Sequence, residues 1–239
     1  MTLTADALAD SHDSAFLGIV MLDTQFPRPL GDIGHPATFD PPTRRVVLER
    51  AWPSAVVQSA AGLREAQLEE GFVAVVKLLA REGAKAITTS CGFLVLLQAE
   101  LQAAVPVPVI TSSLLQLPAL LGQHGRVGVL TISSEALGRE HLLAAGVQAE
   151  RLDDVVVQGV DTEGEFARRI LGNEATMDLA RAQEDVVAAA RALKVREPSL
   201  THLVLECTNM PPYQSAIEQA TGMRCWSLLD DERLLAPFR

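Results

Sequence analysis

Short apolar, β-branched runs recur along this chain at 16–22, 45–49, 84–89, 107–111, 126–132, 155–160, 202–206 and 224–228. Nothing else in the sequence limits the fold as strongly. Runs of this length without polar alternation suit strands buried on both faces. The stretches between them carry apolar residues at helical spacing. Phe72, Val75, Val76 and Leu79 make one stripe, and Ala175, Leu179, Ala182, Val186, Ala190 and Leu193 make another. Strands alternating with such helices predict parallel βαβ units and an α/β fold.

The pattern also repeats. In the first half a strand runs into Thr88-Thr89-Ser90-Cys91, a helical stretch follows, and then Val107-Pro108-Val109-Ile110-Thr111. In the second half a strand runs into Leu205-Glu206-Cys207, a helical stretch follows, and then Met223-Arg224-Cys225-Trp226-Ser227. The step from Cys91 to Cys207 equals the step from Val109 to Cys225, and Gly18-Ile19-Val20-Met21-Leu22 resembles Gly128-Val129-Leu130-Thr131-Ile132 at a similar step. This predicts two pseudo-symmetric Rossmann-like lobes with parallel four-stranded sheets. Residues 1–112, joined by 229–239 crossing back, form the lobe with Cys91, and residues 113–228 form the lobe with Cys207. The halves differ at one place. Residues 134–145 read as a helix, whereas the corresponding residues 23–44 contain Pro27, Pro29, Pro36, Pro41 and Pro42 and cannot be one. A loop this long in a compact domain is functional or mobile, so it is expected to cover a cleft as a lid or wall.

Composition narrows the partners. A formal net charge of −10 disfavours nucleic acid and anionic membranes while leaving room for a small acidic ligand at a local site. No apolar run approaches a membrane span. The first fifteen residues are polar and acidic and read as a frayed leader of a cytoplasmic protein. The three cysteines show no CxxC spacing, and the five histidines (His12, His35, His124, His141 and His202) do not cluster, so neither a disulfide framework nor a metal site is expected. The thiols are expected to be reduced. A homo-oligomer is compatible with all of this.

Ligands of open parallel sheets bind at the carboxyl ends of strands, which is where Cys91 and Cys207 fall. A helix starting just after each cysteine would stabilise its thiolate and lower its pKa, and free N–H groups of the same turns could bind a carboxylate. Free cysteine also packs as a small buried hydrophobe. Cys225, inside a strand, reads that way, but two cysteines at matching points of a repeat point to chemistry on two faces of one carbon. Around them lie residues with ordinary structural alternatives. Ser133, Ser134, Thr111, Ser112 and Ser113 sit at strand ends, where a hydroxyl can hold a carboxylate or cap a turn, and Ser134 reads as the helix cap. Arg28 could fork onto a second carboxylate or lie solvated in the loop, and His35 reads as an exposed loop residue. Glu206 could raise the thiol pKa, assist proton transfer or pair structurally.

Three segments, Gly18-Ile19-Val20-Met21-Leu22-Asp23-Thr24, Thr89-Ser90-Cys91-Gly92-Phe93 and Glu206-Cys207-Thr208-Asn209-Met210-Pro211, resemble the cofactor-independent aspartate/glutamate/hydantoin racemase superfamily. The resemblance covers the chain from about residue 16 to its end. It implies two α/β lobes with the active site between them, one cysteine per lobe, and no metal or organic cofactor. Cys91 and Cys207 would act as a thiolate base and a thiol acid on opposite faces of a carbon acid, with a carboxylate-bearing small molecule as substrate. Asp23 and Thr24 stand where the family often carries an acid and a hydroxyl. Ser90, Gly92, Phe93, Ser133, Thr208 and Asn209 complete the candidate substrate contacts. Glutamate racemases typically read Cys-Asn-Thr and Cys-Thr-His at the two sites, whereas this chain has Cys91-Gly92-Phe93 and Cys207-Thr208-Asn209. Asn209 can hydrogen-bond but cannot exchange protons near neutral pH. The expected activity is amino-acid or related carbon-acid racemisation. The alternatives are a maleate-type isomerase, a malonate-type decarboxylase, and a small-molecule binder with inactive thiols.

Overall fold

The computed structural model describes residues 3–5 and 15–239. Their strands make two sheets. The first has the order β1-β3-β2-β4-β5, with β1 Leu3–Ala5, β2 Phe16–Leu22, β3 Thr43–Leu48, β4 Ala84–Thr89 and β5 Val109–Ile110. The second has the order β7-β6-β8-β9, with β6 Val127–Thr131, β7 Val155–Gly159, β8 His202–Leu205 and β9 Arg224–Trp226. All pairings are parallel except β1 with β3. Without β1 the two orders are the same under the repeat, with β2, β3, β4 and β5 matching β6, β7, β8 and β9.

Each apolar run read from the sequence therefore forms a strand, and the corrections lie at the ends. The leader was expected to be frayed, but residues 3–5 pair antiparallel with β3, giving the first sheet a fifth strand. An edge strand exposes a row of unpaired backbone groups, and β1 covers that of β3. The rest of the leader, up to residue 14, lies outside the described residues. The long apolar stripe beginning at Ala175 becomes the helix Leu179–Arg196, because the Asp178 carboxylate accepts from the N–H groups of Ala180 and Arg181 and fixes the start there. Residues 134–145 are not one helix. A turn precedes the short helix Arg139–Ala144, and Ser133 rather than Ser134 caps that turn, its Oγ accepting from the N–H of Ala136 at 3.2 Å.

The helix Glu69–Arg81 lays Phe72, Val75, Val76 and Leu79 on the sheet, all fully buried. In the second lobe Ala182, Val186, Ala190 and Leu193 do the same. On the other face of the first sheet, Leu17 and Ile19 pack with Leu228 and Leu234 from the returning C-terminal segment. Among the described residues no helix is long and apolar enough to cross a membrane. Replacing Phe72 with Ala should leave a cavity no neighbour can fill and cost about 3–5 kcal/mol. Urea unfolding should show this as a lower midpoint with an unchanged slope.

Candidate active site

β4 and β8 are neighbours of the central β2 and β6, and two residues past the end of each stands a cysteine, Cys91 and Cys207. Both line one cavity between the sheets, with about 320 Å³ of space not filled by atoms, part of it open to solvent. Ser90, Gly92, Phe93, Thr208 and Asn209 line the same cavity, together with Glu206. The rest of its wall is apolar: Leu22, Phe26, Pro53, Val57, Ile132 and Ile170. Of the residues expected at the site, Asp23, Thr24 and Ser133 are not part of this wall.

Those three make scaffold contacts instead. The Asp23 carboxylate accepts from the backbone N–H of Arg50 at 3.1 Å, the Thr24 hydroxyl accepts from Arg28, and Ser133 caps its turn. Thr111, Ser112 and Ser113 are likewise occupied, the last by donating to the carbonyl of Leu205 at the end of β8. Cys225 packs in the core. Arg28 is neither solvated nor free: it pairs with Asp32 at 2.7 Å and lies over the Phe26 ring. His35, half-buried, accepts from the N–H of Ala37.

The proline-rich loop is stitched down as a wall. The Asn209 side-chain amide donates to Asp32 at 2.6 Å, and the Ile33 N–H donates to the Thr208 carbonyl. At the loop's start Asn173 accepts from the N–H of Gln25 and donates to the Asp23 carbonyl. Across the cavity floor the Thr208 hydroxyl donates to the carbonyl of Ser90, whose own hydroxyl accepts from the N–H of Leu22. A chain of contacts thus runs from Arg28 through Asp32 and Asn209 to Cys207, whose thiol donates to the Asn209 side-chain oxygen at 3.5 Å.

Gly92 and Glu206 meet where the lobes touch. A Cβ on Gly92 would stand 2.3 Å from both the backbone oxygen and Oε1 of Glu206. The asparagine that glutamate racemases carry here could not fit, so Cys-Gly-Phe in one lobe and Glu-Cys-Thr in the other explain each other. The Glu206 side chain is 1% exposed, its Oε2 accepts from the Thr131 hydroxyl at 2.8 Å, and its Oε1 has no hydrogen-bond partner among the described residues.

Burial decides the electrostatics. It lifts the Glu206 carboxyl to about 8, against the pull of Thr131. It also pushes the Cys91 thiol up to about 12, with the Glu206 charge adding to the rise, while the N–H groups of Phe93 and Leu94 and the Arg28 charge pull back. Cys207 is raised well above the ordinary thiol value by burial and Glu206, with smaller contributions from Cys91 and Asp32, and only the Asn209 N–H opposes them. The sequence-based expectation of lowered thiol pKa values is overturned. The turn after Cys91 is a 3₁₀ helix, Gly92–Leu97, and its amides are outweighed by desolvation and a neighbouring carboxyl.

Sequence reading missed Asp32, although an acid between glycines in Gly31-Asp32-Ile33-Gly34 is a turn signal. It also missed Pro53, Val57 and Ile170, which carry no local signal at all. Among the described residues no group of acids, histidines and cysteines is placed to hold a metal ion.

The family model for Asp/Glu/Hydantoin racemase matches residues 40–230. A dimethylsulfoniopropionate lyase of Durusdinium sp. clade D is 30% identical over 87% of this chain and 70% of its own length. Dimethylsulfoniopropionate lyase 6 of Emiliania huxleyi (strain CCMP1516) is 30% identical over 92% of this chain, which spans 58% of that relative. Among solved structures, unliganded arylmalonate decarboxylase superposes with a TM-score of 0.55 at 15% identity over 94% of this chain and 91% of its own. An aspartate racemase homologue from Pyrococcus horikoshii OT3 gives 0.52 at 16% identity over 92% and 95%. These two share the fold.

Two outcomes follow from the Gly92–Glu206 contact. Gly92→Ala should cost about 1–3 kcal/mol, because the obstructing atom is backbone and the lobes must part; calorimetry would read the loss. Glu206 holds a proton in the native state that the unfolded chain releases above its ordinary value of 4.5. Stability should therefore fall as pH rises from about 4.5 to about 8 and this contribution should level off beyond. Urea titrations across that range would measure it.

Proposed function

Because the chain belongs to the Asp/Glu/hydantoin racemase family, we propose that it removes a proton from the carbon beside a carboxylate, and that the reaction is elimination from a β-sulfonio carboxylate such as dimethylsulfoniopropionate. The observation that carries this reading is the cavity wall. Its ionisable side chains are Cys91, Cys207 and Glu206, and everything beyond the cysteine motifs is apolar. An amino-acid substrate brings an ammonium with three donors to satisfy. Asp23, the acid expected to meet it, is held by Arg50 instead. A sulfonium has a positive charge but no donors, and its methyl groups suit Leu22, Phe26, Val57 and Ile170. The name of the relatives agrees with this chemistry.

In the proposed step one cysteine, as thiolate, takes the hydrogen next to the carboxylate. The C–H electron pair forms the carbon–carbon double bond, and the C–S bond breaks with its pair leaving on sulfur. Dimethyl sulfide departs neutral, an unsaturated carboxylate remains, and the cysteine, now a neutral thiol, must lose its proton before the next turnover. The amides of Phe93, Leu94 and Asn209, which already pull the thiol pKa values down, stabilise the thiolate. Ser90, Gly92, Phe93, Thr208 and Asn209 form the substrate contacts, with Asp23, Thr24 and Ser133 holding the frame. The second thiol is neutral, and no metal or organic cofactor takes part.

The equivalent placement of the two thiols favours a second reading, two-base racemisation of a carbon acid. The readings differ in what each thiol must do. Racemisation needs both, whereas a leaving group that departs neutral needs only one. Headspace gas chromatography should detect dimethyl sulfide from dimethylsulfoniopropionate. Cys91→Ser and Cys207→Ser should reduce kcat/KM unequally, the larger loss reaching about 10²–10⁴-fold. Complete loss of racemisation in both variants, with deuterium entering opposite enantiomers of a carbon acid in heavy water, would replace the lyase by the racemase.

A further inference from the structure

Glu206 stands apart from the rest of the polar network. The Ser90 hydroxyl is tied within its own lobe, and the Thr208 hydroxyl and the Asn209 side-chain amide are tied into hydrogen bonds across the lobes. Glu206 has one oxygen tied and one free: Oε2 is fixed by Thr131 on β6, while Oε1 is buried without a partner. The free oxygen lies where Gly92 leaves room for it, and the residue lines the cavity with both sulfurs. A buried polar atom without a partner costs free energy, so its retention calls for a reason.

We propose that Glu206 is the proton acceptor of the thiols: its free Oε1 takes the Sγ proton of Cys91 or Cys207, leaving a thiolate beside a neutral carboxylic acid. The transfer needs no co-reactant. One O–H bond forms as one S–H bond breaks, and the net charge of the cavity does not change. Such a transfer avoids burying a second anion, which is the chief cost of ionising either thiol alone. The inference rests on the thiols being the reacting groups and goes beyond that reading in naming where their proton goes.

The charged and titratable groups around the pair are few. Glu206 faces Cys91 at the end of β4 and adjoins Cys207 at the end of β8. Arg28 and Asp32 approach from the proline-rich loop, acting on Cys91 and Cys207 respectively, and Tyr213 lies close enough to Cys207 and Asp32 for their charges to raise its pKa. Neither Arg28 nor Asp32 is free to take the proton, since each is paired with the other. The Tyr213 phenol, pushed up to about 12, stays protonated.

The test follows thiol alkylation by iodoacetamide, resolved by mass spectrometry for each cysteine, against pH in the wild type and in Glu206→Gln. In the wild type the rate should rise through about 8, where the carboxyl ionises and the thiol–carboxyl pair has lost its first proton. In Glu206→Gln that rise should vanish and the rate at pH 8 should fall at least about tenfold, given that positioned bases contribute about 10²–10⁴-fold. A folded variant that alkylates as fast as the wild type, or faster, overturns the proposal, because Glu206 would then act only by repelling the thiolates. If the variant does not fold, infrared difference spectra of the wild type decide. The protonated-carboxyl band should disappear over the pH range in which alkylation accelerates, and a band that does not change there overturns the proposal. Neither measurement uses a substrate, so failure to release dimethyl sulfide would count against the lyase alone.

Discussion

Everything at the candidate site depends on how closely Gly92 and Glu206 approach one another across the two lobes. With no side chain on Gly92, the backbone and carboxyl of Glu206 move into the space a Cβ would fill. That brings the end of β8 against the turn after β4 and sets both cysteines on one cavity. The Thr208–Ser90 hydrogen bond then closes between the same strand ends. A larger residue at 92 would hold the lobes apart and strain this bond.

The same approach sets the electrostatics. A carboxyl in a dry contact between lobes resists ionisation, and two thiols beside it resist it more. Glu206 lies at about 8 while Cys91 lies at about 12, so the carboxyl ionises before the Cys91 thiol as pH rises. The proposed sulfonium substrate would leave no hydrogen-bond donor unpaired against such an apolar wall, whereas an ammonium would.

The proline-rich loop shows how an irregular segment can be as fixed as a strand. Prolines deny residues 23–42 a regular ladder, so the backbone is held by side chains instead. Asp32 alone accepts from Arg28, from the N–H of Gly34 and from Asn209. The loop supplies Phe26 to the cavity and, through Asp32 and Asn209, braces Cys207. Of the lid or wall expected there, the structure shows a wall with buried bonds.

The sequence determined the strands, their parallel arrangement in two repeated halves and the pairing of Cys91 with Cys207. These follow from apolar runs and from spacing, which are local and periodic and can be read one segment at a time. The motifs that carry the family resemblance also named Gly92, Phe93, Thr208 and Asn209, which line the cavity. Tertiary structure alone decided that Pro53, Val57 and Ile170 complete the cavity wall, that Asp32 braces Asn209, and that Asp23 and Thr24 serve the frame. It also reversed the expected thiol pKa. A helix-start argument counts only the amides next to a cysteine, whereas the pKa answers to burial and to charges brought from the other half of the chain. Those contacts have no period in the sequence, because they exist only where the two lobes meet.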